Sequence, residues 1–168
     1  RGPENVWGSA LTATVCALGA WLAGQNLLSP GLTADWVSLW TLGYVASFAT
    51  KLSDTTASEV GKAYGKRTFL ITTLQPVPAG TEGAVSLEGT IAGVGGAAVM
   101  AIAGWAVSLI TPWGVVICLI AAFIATNLES VIGATLQTRL PWLTNEWVNV
   151  ANTTIGAIAA LAIAVIFA

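Results

Sequence analysis

Long apolar stretches separated by short polar breaks constrain this chain more than any other feature. Crossing the hydrocarbon of a bilayer takes about 20 consecutive, mostly apolar residues. The sequence offers five such stretches, at about residues 6–28, 34–64, 84–110, 112–136 and 148–168. A water-soluble reading fails on dispersal: 8% of the residues are charged and 55% hydrophobic, where soluble domains carry roughly 25% charged residues. The expectation is an all-α, polytopic integral membrane protein of about five transmembrane helices, forming one domain over residues 1–168. Because the chain opens Arg1-Gly2-Pro3-Glu4-Asn5, with no methionine and no signal-peptide pattern, it is expected to begin inside a longer protein, with upstream helices missing.

The breaks between the stretches carry stop signals. Ser29-Pro30-Gly31 ends the first, and Pro112 suits the first turn of the fourth. Between the second and third, residues 65–83 hold Pro76, Pro78, Gly80 and Gly83. That segment is too broken for a span and too apolar at Thr68–Leu74 for a free linker, so an ordered loop at the membrane surface is expected. Alternate threading places Arg1, Lys51, Lys62, Lys66, Arg67 and Arg139 on one face, against Asp35 on the other. Basic residues favour the cytoplasmic side, so the charged face is read as cytoplasmic. Trp7, Trp36, Trp113, Trp142 and Trp147 stand near expected helix ends, where indole prefers the interface.

Several chemistries are excluded early. The chain has no histidine, and Cys16 and Cys118 lie in apolar runs without metal-ligand spacing, so carboxylates, lysines and hydroxyls must carry any reaction. No basic stripe or aromatic platform marks a nucleic-acid partner. Gly89, Gly93, Gly95, Gly96, Ala97 and Ala98 give the third stretch a small-residue surface on which another helix can lie close.

Polar residues gather in two places. In Lys51–Arg67, the side chains of Asp54, Ser58, Lys51, Lys62, Thr55, Lys66 and Glu59 fall across a helical arc of roughly 140°. The face is either the solvated end of a helix leaving the membrane or one wall of a site, and charges as deep as Lys51 and Asp54 usually face a polar cavity. The second run, Pro78–Thr90, opens the third helix with glycines that admit a ligand to the backbone and with N–H groups that attract phosphate. Together these are parts suited to a magnesium–nucleotide: Mg2+ prefers a couple of carboxylates plus phosphate oxygens, and lysines offset transferring charge. Gly61–Thr68 fails the P-loop pattern. Asn127, Glu129, Ser130 and Gln137 late in the fourth stretch, and Asn145, Asn149, Asn152 and Thr153 early in the fifth, fall near the same face. Glu129, an ionisable group in an apolar span, reads either as functional or as a helix-to-helix hydrogen bond.

The run Asp54–Lys66 followed by Val77–Thr90 resembles the membrane family that contains the phytyl-phosphate kinases of chloroplasts and cyanobacteria. The likeness extends to Arg1–Val6 and to Ser130–Gln137, covering most of the chain. It implies transfer of a phosphoryl group from a nucleoside triphosphate, CTP favoured, to phytyl or another prenyl monophosphate, in a cyanobacterial membrane or chloroplast envelope, with the polar site facing cytoplasm or stroma. A more distant similarity, through Asp54, Ala57, Gly61, Gly65 and Glu88-Gly89-Thr90, reaches dolichol kinase, phytol kinase and phosphatidate cytidylyltransferase. Those relatives often carry a lysine where this chain has Val85, so a phosphate contact must come from elsewhere here or differ.

Carried over, the resemblance implies that Asp54, Glu59, Glu88 and Lys62 are catalytic, with Asp54, Glu59, Glu88 and Glu129 as candidates to hold Mg2+. Lys51, Ser58, Lys66, Arg67, Gly80, Thr81, Glu82, Gly83, Ser86, Gly89, Thr90, Asn127, Ser130, Gln137 and Asn149 would bind nucleotide or substrate. The prenyl chain would lie along the third to fifth helices. Other readings stay open at this point: a CTP-dependent lipid cytidylyltransferase, an ion or small-solute transporter, or a structural membrane subunit. A homodimer is also open.

Overall fold

The computed structural model describes residues 4–25, 33–137 and 139–167. Five helices form in chain order: α1 (Glu4–Gly24), α2 (Thr33–Tyr64), α3 (Leu87–Ala106), α4 (Pro112–Ile132) and α5 (Asn145–Ile166). The expected all-α, polytopic class holds. Four of the helices are long and apolar enough to cross a bilayer on their own, over Val6–Gly24, Leu87–Ala106, Pro112–Gln137 and Asn145–Ile166. Helix α2 is the departure from five self-sufficient spans. It packs against each of the other four helices, so its sides meet protein rather than lipid. Its buried Ser47, Thr50 and Ser53 lower its hydropathy without facing hydrocarbon.

The core is built from small residues. Ala46, Ala49, Ala97, Ala101, Cys118, Ala121, Ala122 and Ala160 are all buried in one cluster. In lipid the hydrophobic effect does not press helices together, so close backbone approach and dispersion must do so, and alanine permits it. Both cysteines are free and buried, as their apolar settings suggested.

The expected small face of α3 is where α2 lies. A methyl group added at Gly89 would sit 2.6 Å from the Ala57 carbonyl oxygen and 3.1 Å from Gly61 Cα. One turn on, a methyl at Gly93 would stand 3.0 Å from Ala57 Cβ and 3.1 Å from the Ser53 carbonyl oxygen. Thr56 Oγ1 donates to the Ala92 carbonyl at 3.1 Å across the same contact.

The threading also holds at the charged end. Trp7 and Trp147 meet edge to face, with ring centroids 5.4 Å apart, so α1 and α5 start side by side. Deeper, Thr12 Oγ1 lies 2.9 Å from Thr153 Oγ1. The end of α2 meets the start of α3, and Gly83 beside α3 rests on the end of α4 at Ser130 and Ala134. Arg1 and the Ser29-Pro30-Gly31 stop lie outside the described residues, as does the side chain of Asp35.

The surface segment between α2 and α3 is ordered, as expected, and contains a minimal antiparallel ribbon. Phe69–Leu70 (β1) pairs with Ala84–Val85 (β2), in the register Phe69 to Val85 and Leu70 to Ala84. A tighter loop is pinned inside it by Val77 N–H donating to the Thr68 carbonyl at 3.0 Å and by the Thr68 hydroxyl donating to the Val77 carbonyl. The third helix therefore begins later than residue 84. Ser86 caps it, its Oγ accepting from Gly89 N–H at 3.1 Å.

Candidate functional site

The end of α2, the start of α3, the last turns of α4 and the ribbon segment enclose an open cleft with about 950 Å³ of empty space, solvent at its mouth included. Helix α2 contributes Asp54, Ser58 and Lys62, one turn apart, with the small Ala57 and Gly61 between them. From α3 come Ser86, Gly89 and Thr90, and deeper Gly93 and Val94. Helix α4 presents Phe123, Thr126, Asn127, Glu129, Ser130 and Gly133. The loop Gly80–Val85 and Thr68 close the top.

Gly83 is essential to that roof. Its φ of +76° is a left-handed conformation that side chains rarely adopt, and a methyl there would meet the Ser130 carbonyl oxygen at 2.6 Å. Where the roof rests, α4 passes into a wider π turn at Gly133–Gln137. Such turns recur beside functional sites because they re-aim side chains.

The charged centre is the meeting of Asp54 of α2 and Glu129 of α4, which line the same cleft with their carboxyl groups close enough to interact, and with Lys51 and Glu82 in electrostatic range. Two facing carboxyl groups repel when both are ionised, and they are reconciled by a shared proton or a shared cation. Lys51 supplies part of that compensation. Its Nζ donates to Asp54 Oδ2 at 3.1 Å and to Asn149 Oδ1 at 2.7 Å, tying the carboxylate to α5. At the deep end, Thr126 Oγ1 donates to Ser53 Oγ at 3.3 Å, and Asn127 Nδ2 donates to the Phe123 carbonyl at 2.7 Å.

Of the residues expected at a site, thirteen border this one cleft: Asp54, Ser58, Lys62, Gly80, Thr81, Glu82, Gly83, Ser86, Gly89, Thr90, Asn127, Glu129 and Ser130. The others do not border it. Lys51 and Asn149 sit one hydrogen bond behind the wall, so Lys51 braces Asp54 where a phosphate contact was expected. Lys66 and Arg67 are exposed beyond the end of α2 at Tyr64, because the helix stops before the arc reaches them. Glu59 is exposed on another side of α2, and Glu88 occupies the first turn of α3 off the cleft wall. Gln137 instead links α4 to α5, its Nε2 donating to Asn145 Oδ1 at 2.5 Å.

The expected free N–H groups at the start of α3 are partly committed. Gly89 N–H goes to the Ser86 hydroxyl and Thr90 N–H to the Ser86 carbonyl. Among the described residues no group of three or more acidic or sulfur side chains converges as a metal cage, so the four carboxylates named for magnesium reduce on the cleft wall to Asp54 and Glu129. Sequence reasoning passed over Ser53, Phe123, Thr126 and Gly133. The α4 members were legible as one stripe: residues 123, 126, 127, 130 and 133 recur at helical spacing, with polar groups inside an apolar run.

Fold and cleft together define an integral membrane protein with a polar pocket sunk into one end of a five-helix bundle. The chain belongs to the family described as "Integral membrane protein DUF92", which matches residues 1–157. It is 62% identical over 163 residues to membrane protein sll0875 of Synechocystis sp., covering 97% of this chain and 60% of that one. To the chloroplastic protein VTE6 of Arabidopsis thaliana it is 45% identical over 164 residues, covering 96% of this chain and 47% of the relative. A third relative, membrane protein MJ0933 of Methanocaldococcus jannaschii, is 40% identical over 121 residues, covering 71% of this chain and 50% of the other. The chain thus spans about half to three-fifths of the length of these relatives. No solved structure matches it. The membership anticipated from Asp54–Lys66 and Val77–Thr90 holds.

Proposed function

We propose that this chain forms the catalytic part of a membrane lipid-phosphate kinase, which moves the γ-phosphoryl group of a nucleoside triphosphate, CTP favoured, to phytyl or another prenyl monophosphate. The observation that carries the reading is the juxtaposition of Asp54, Glu129 and Lys62 under a glycine-bearing roof at the membrane's polar edge. The resemblance to phytyl-phosphate kinases and the 45% identity to chloroplastic VTE6 support it.

In the reaction, an oxygen of the prenyl monophosphate bonds to the γ-phosphorus. The bridging bond to the β-phosphate breaks, and its electrons leave with the nucleoside diphosphate. A phosphate dianion is already nucleophilic, so the site's work is to position and to offset charge. The cleft wall carries three acids, Asp54, Glu82 and Glu129, against Lys62 as its basic residue among those described. A triphosphate cannot enter such a field without a cation. Two facing carboxylates suit Mg2+, which takes one or two carboxylates and fills its other positions with phosphate oxygens and water. Asp54 and Glu129 would hold it, and its positive charge would screen the phosphates as they come together. Lys51 keeps Asp54 aimed into the cleft, while Lys62 at the mouth meets the outer phosphates and takes the place of the lysine that Val85 replaces. The loop Gly80–Val85 covers the nucleotide.

Full-length protein in lipid vesicles, given [γ-³²P]CTP, Mg2+ and phytyl monophosphate, is expected to yield labelled phytyl diphosphate and CDP. No labelled lipid, or pyrophosphate with a CDP-lipid, would overturn the proposal, the latter in favour of a cytidylyltransferase.

A further inference from the structure

The cleft changes character with depth. Its upper walls carry Lys62, Ser58, Glu82 and Ser130, whereas its lower end is formed by Gly93 and Val94 of α3 and by Phe123 and Thr126 of α4. Val94 lies seven residues into α3 and Phe123 nine residues before the end of α4. At 1.5 Å per residue both stand about 10–14 Å below the charged end of their helices, within hydrocarbon. Both also reach the outside of the bundle, 43% and 48% exposed. They line the polar cavity while part of each side chain stays exposed, at a depth where a bilayer would meet it.

Protein contacts close two flanks of the cleft. Helix α2 lies directly on the glycines of α3 and bonds to α4 through Ser53 and Thr126. Below the cleft, Ala97 and Ala101 of α3 and Cys118, Ala121 and Ala122 of α4 are buried in the common core. Val94 and Phe123, which line the cleft and are each partly exposed, mark a lateral window between α3 and α4, apolar at its lips and polar inside.

We infer that this window is a portal through which a phosphate-headed, single-chain lipid enters sideways from the bilayer, its head in the cleft and its chain passing out between Val94 and Phe123. The inference rests on the lipid-phosphate reading above and adds the route and its consequence. A long chain drawn through water would expose each of its methylenes, and lateral entry avoids that exposure. Since the chain leaves the protein at the window, only the isoprene units beside the phosphate touch it. Chains long enough to reach lipid are therefore accepted alike, in place of measurement by a closed tunnel.

Two measurements on the full-length protein in vesicles test this. A twenty-carbon isoprenyl monophosphate bearing a diazirine in its chain is expected to label peptides containing Val94 and Phe123, and unlabelled monophosphate, but not the parent alcohol, is expected to displace it. Label confined to α1 or α5, or left undisplaced, would overturn the portal. Second, Val94→Trp is expected to lower the ratio of kcat/KM for the twenty-carbon over the five-carbon monophosphate by at least about ten-fold. Val99→Trp and Ile120→Trp, exposed on the same helices but away from the cleft, keep the wild-type ratio. An unchanged ratio in Val94→Trp with wild-type melting refutes the portal. Should the larger residue prevent folding, labelling of the wild type decides alone. Displaceable labelling without phosphoryl transfer would retain the portal and reject the kinase.

Discussion

Replacing Gly89 by alanine tests the α2–α3 contact that shapes the cleft. The added methyl would lie 2.6 Å from the Ala57 carbonyl oxygen, against the 3.4–4 Å of ordinary van der Waals contact, so the helices must part by about 0.8 Å or strain to the same extent. Both neighbours named at Ala57 and Gly61 are backbone atoms and cannot swing aside. Overpacking of this kind costs about 1–3 kcal/mol, offset by up to about 1 kcal/mol because alanine favours a helix over glycine. With the full offset, the net loss is up to about 2 kcal/mol. Gly95, two turns along the same helix, has nothing within 4 Å of an added methyl, so there the propensity term acts alone and Gly95→Ala gains up to about 1 kcal/mol. Gly93→Ala, with contacts of 3.0–3.2 Å, falls between. Thermal melting in nanodiscs reads the series, at about 2–4 °C per kcal/mol for a chain of this size. Gly89→Ala also displaces one cleft wall, so turnover is expected to fall on the order of 10²-fold. Equal shifts of the same sign for Gly89→Ala and Gly95→Ala would mean that α2 and α3 are not in tight contact at Gly89.

Asp54→Asn and Glu129→Gln are each expected to cut phosphoryl transfer by about 10²–10³-fold, with melting little changed, in the vesicle assay. Lys51→Met leaves the two facing carboxyl groups short of a positive charge; the Lys51 and Asp54 side chains are 22% and 13% exposed. Melting is expected to drop by about 1–3 kcal/mol equivalent, with a larger Mg2+-induced recovery than in wild type and partial rescue by Lys51→Arg. Lys62→Ala is expected to raise the nucleotide KM about ten-fold, whereas Lys66→Ala, beyond the cleft, leaves it near the wild-type value; titration of CTP separates them.

The helices were legible because lipid demands length and apolarity, and because the breaks at Pro112 and in residues 65–83 are local signals. The capping of α3 at Ser86 was less so, since Ala84 and Val85 continue its apolar pattern while a tertiary partner at Phe69–Leu70 takes them into a ribbon. The site was half legible. Centring the α2 face on its charges set the arc at roughly 0–140° from Asp54, with Glu59 at its edge. The face that borders the cleft runs from Ser53 to Lys62, at about −100° to +80°, centred on Gly61 and Asp54. Small uncharged residues mark the middle of the cleft because that is where α3 comes closest, and a charge count does not register them. Lys51 lies within the expected arc, but at its depth α5 and Asn149 fill that direction. The pairing of Asp54 with Glu129 joins residues far apart in sequence and needs the packing of α4 on α2.

The position of a bound metal is the sharpest test of the paired-carboxylate site. An anomalous-scattering map of the full-length protein, grown with Mn2+ in place of Mg2+ and a non-hydrolysable CTP analogue, is predicted to show a peak between the carboxylates of Asp54 and Glu129, with the triphosphate beneath the Gly80–Val85 loop. A peak on the outer side of α2 near Glu59, or a triphosphate bound away from the junction of α2, α3 and α4, would contradict the account.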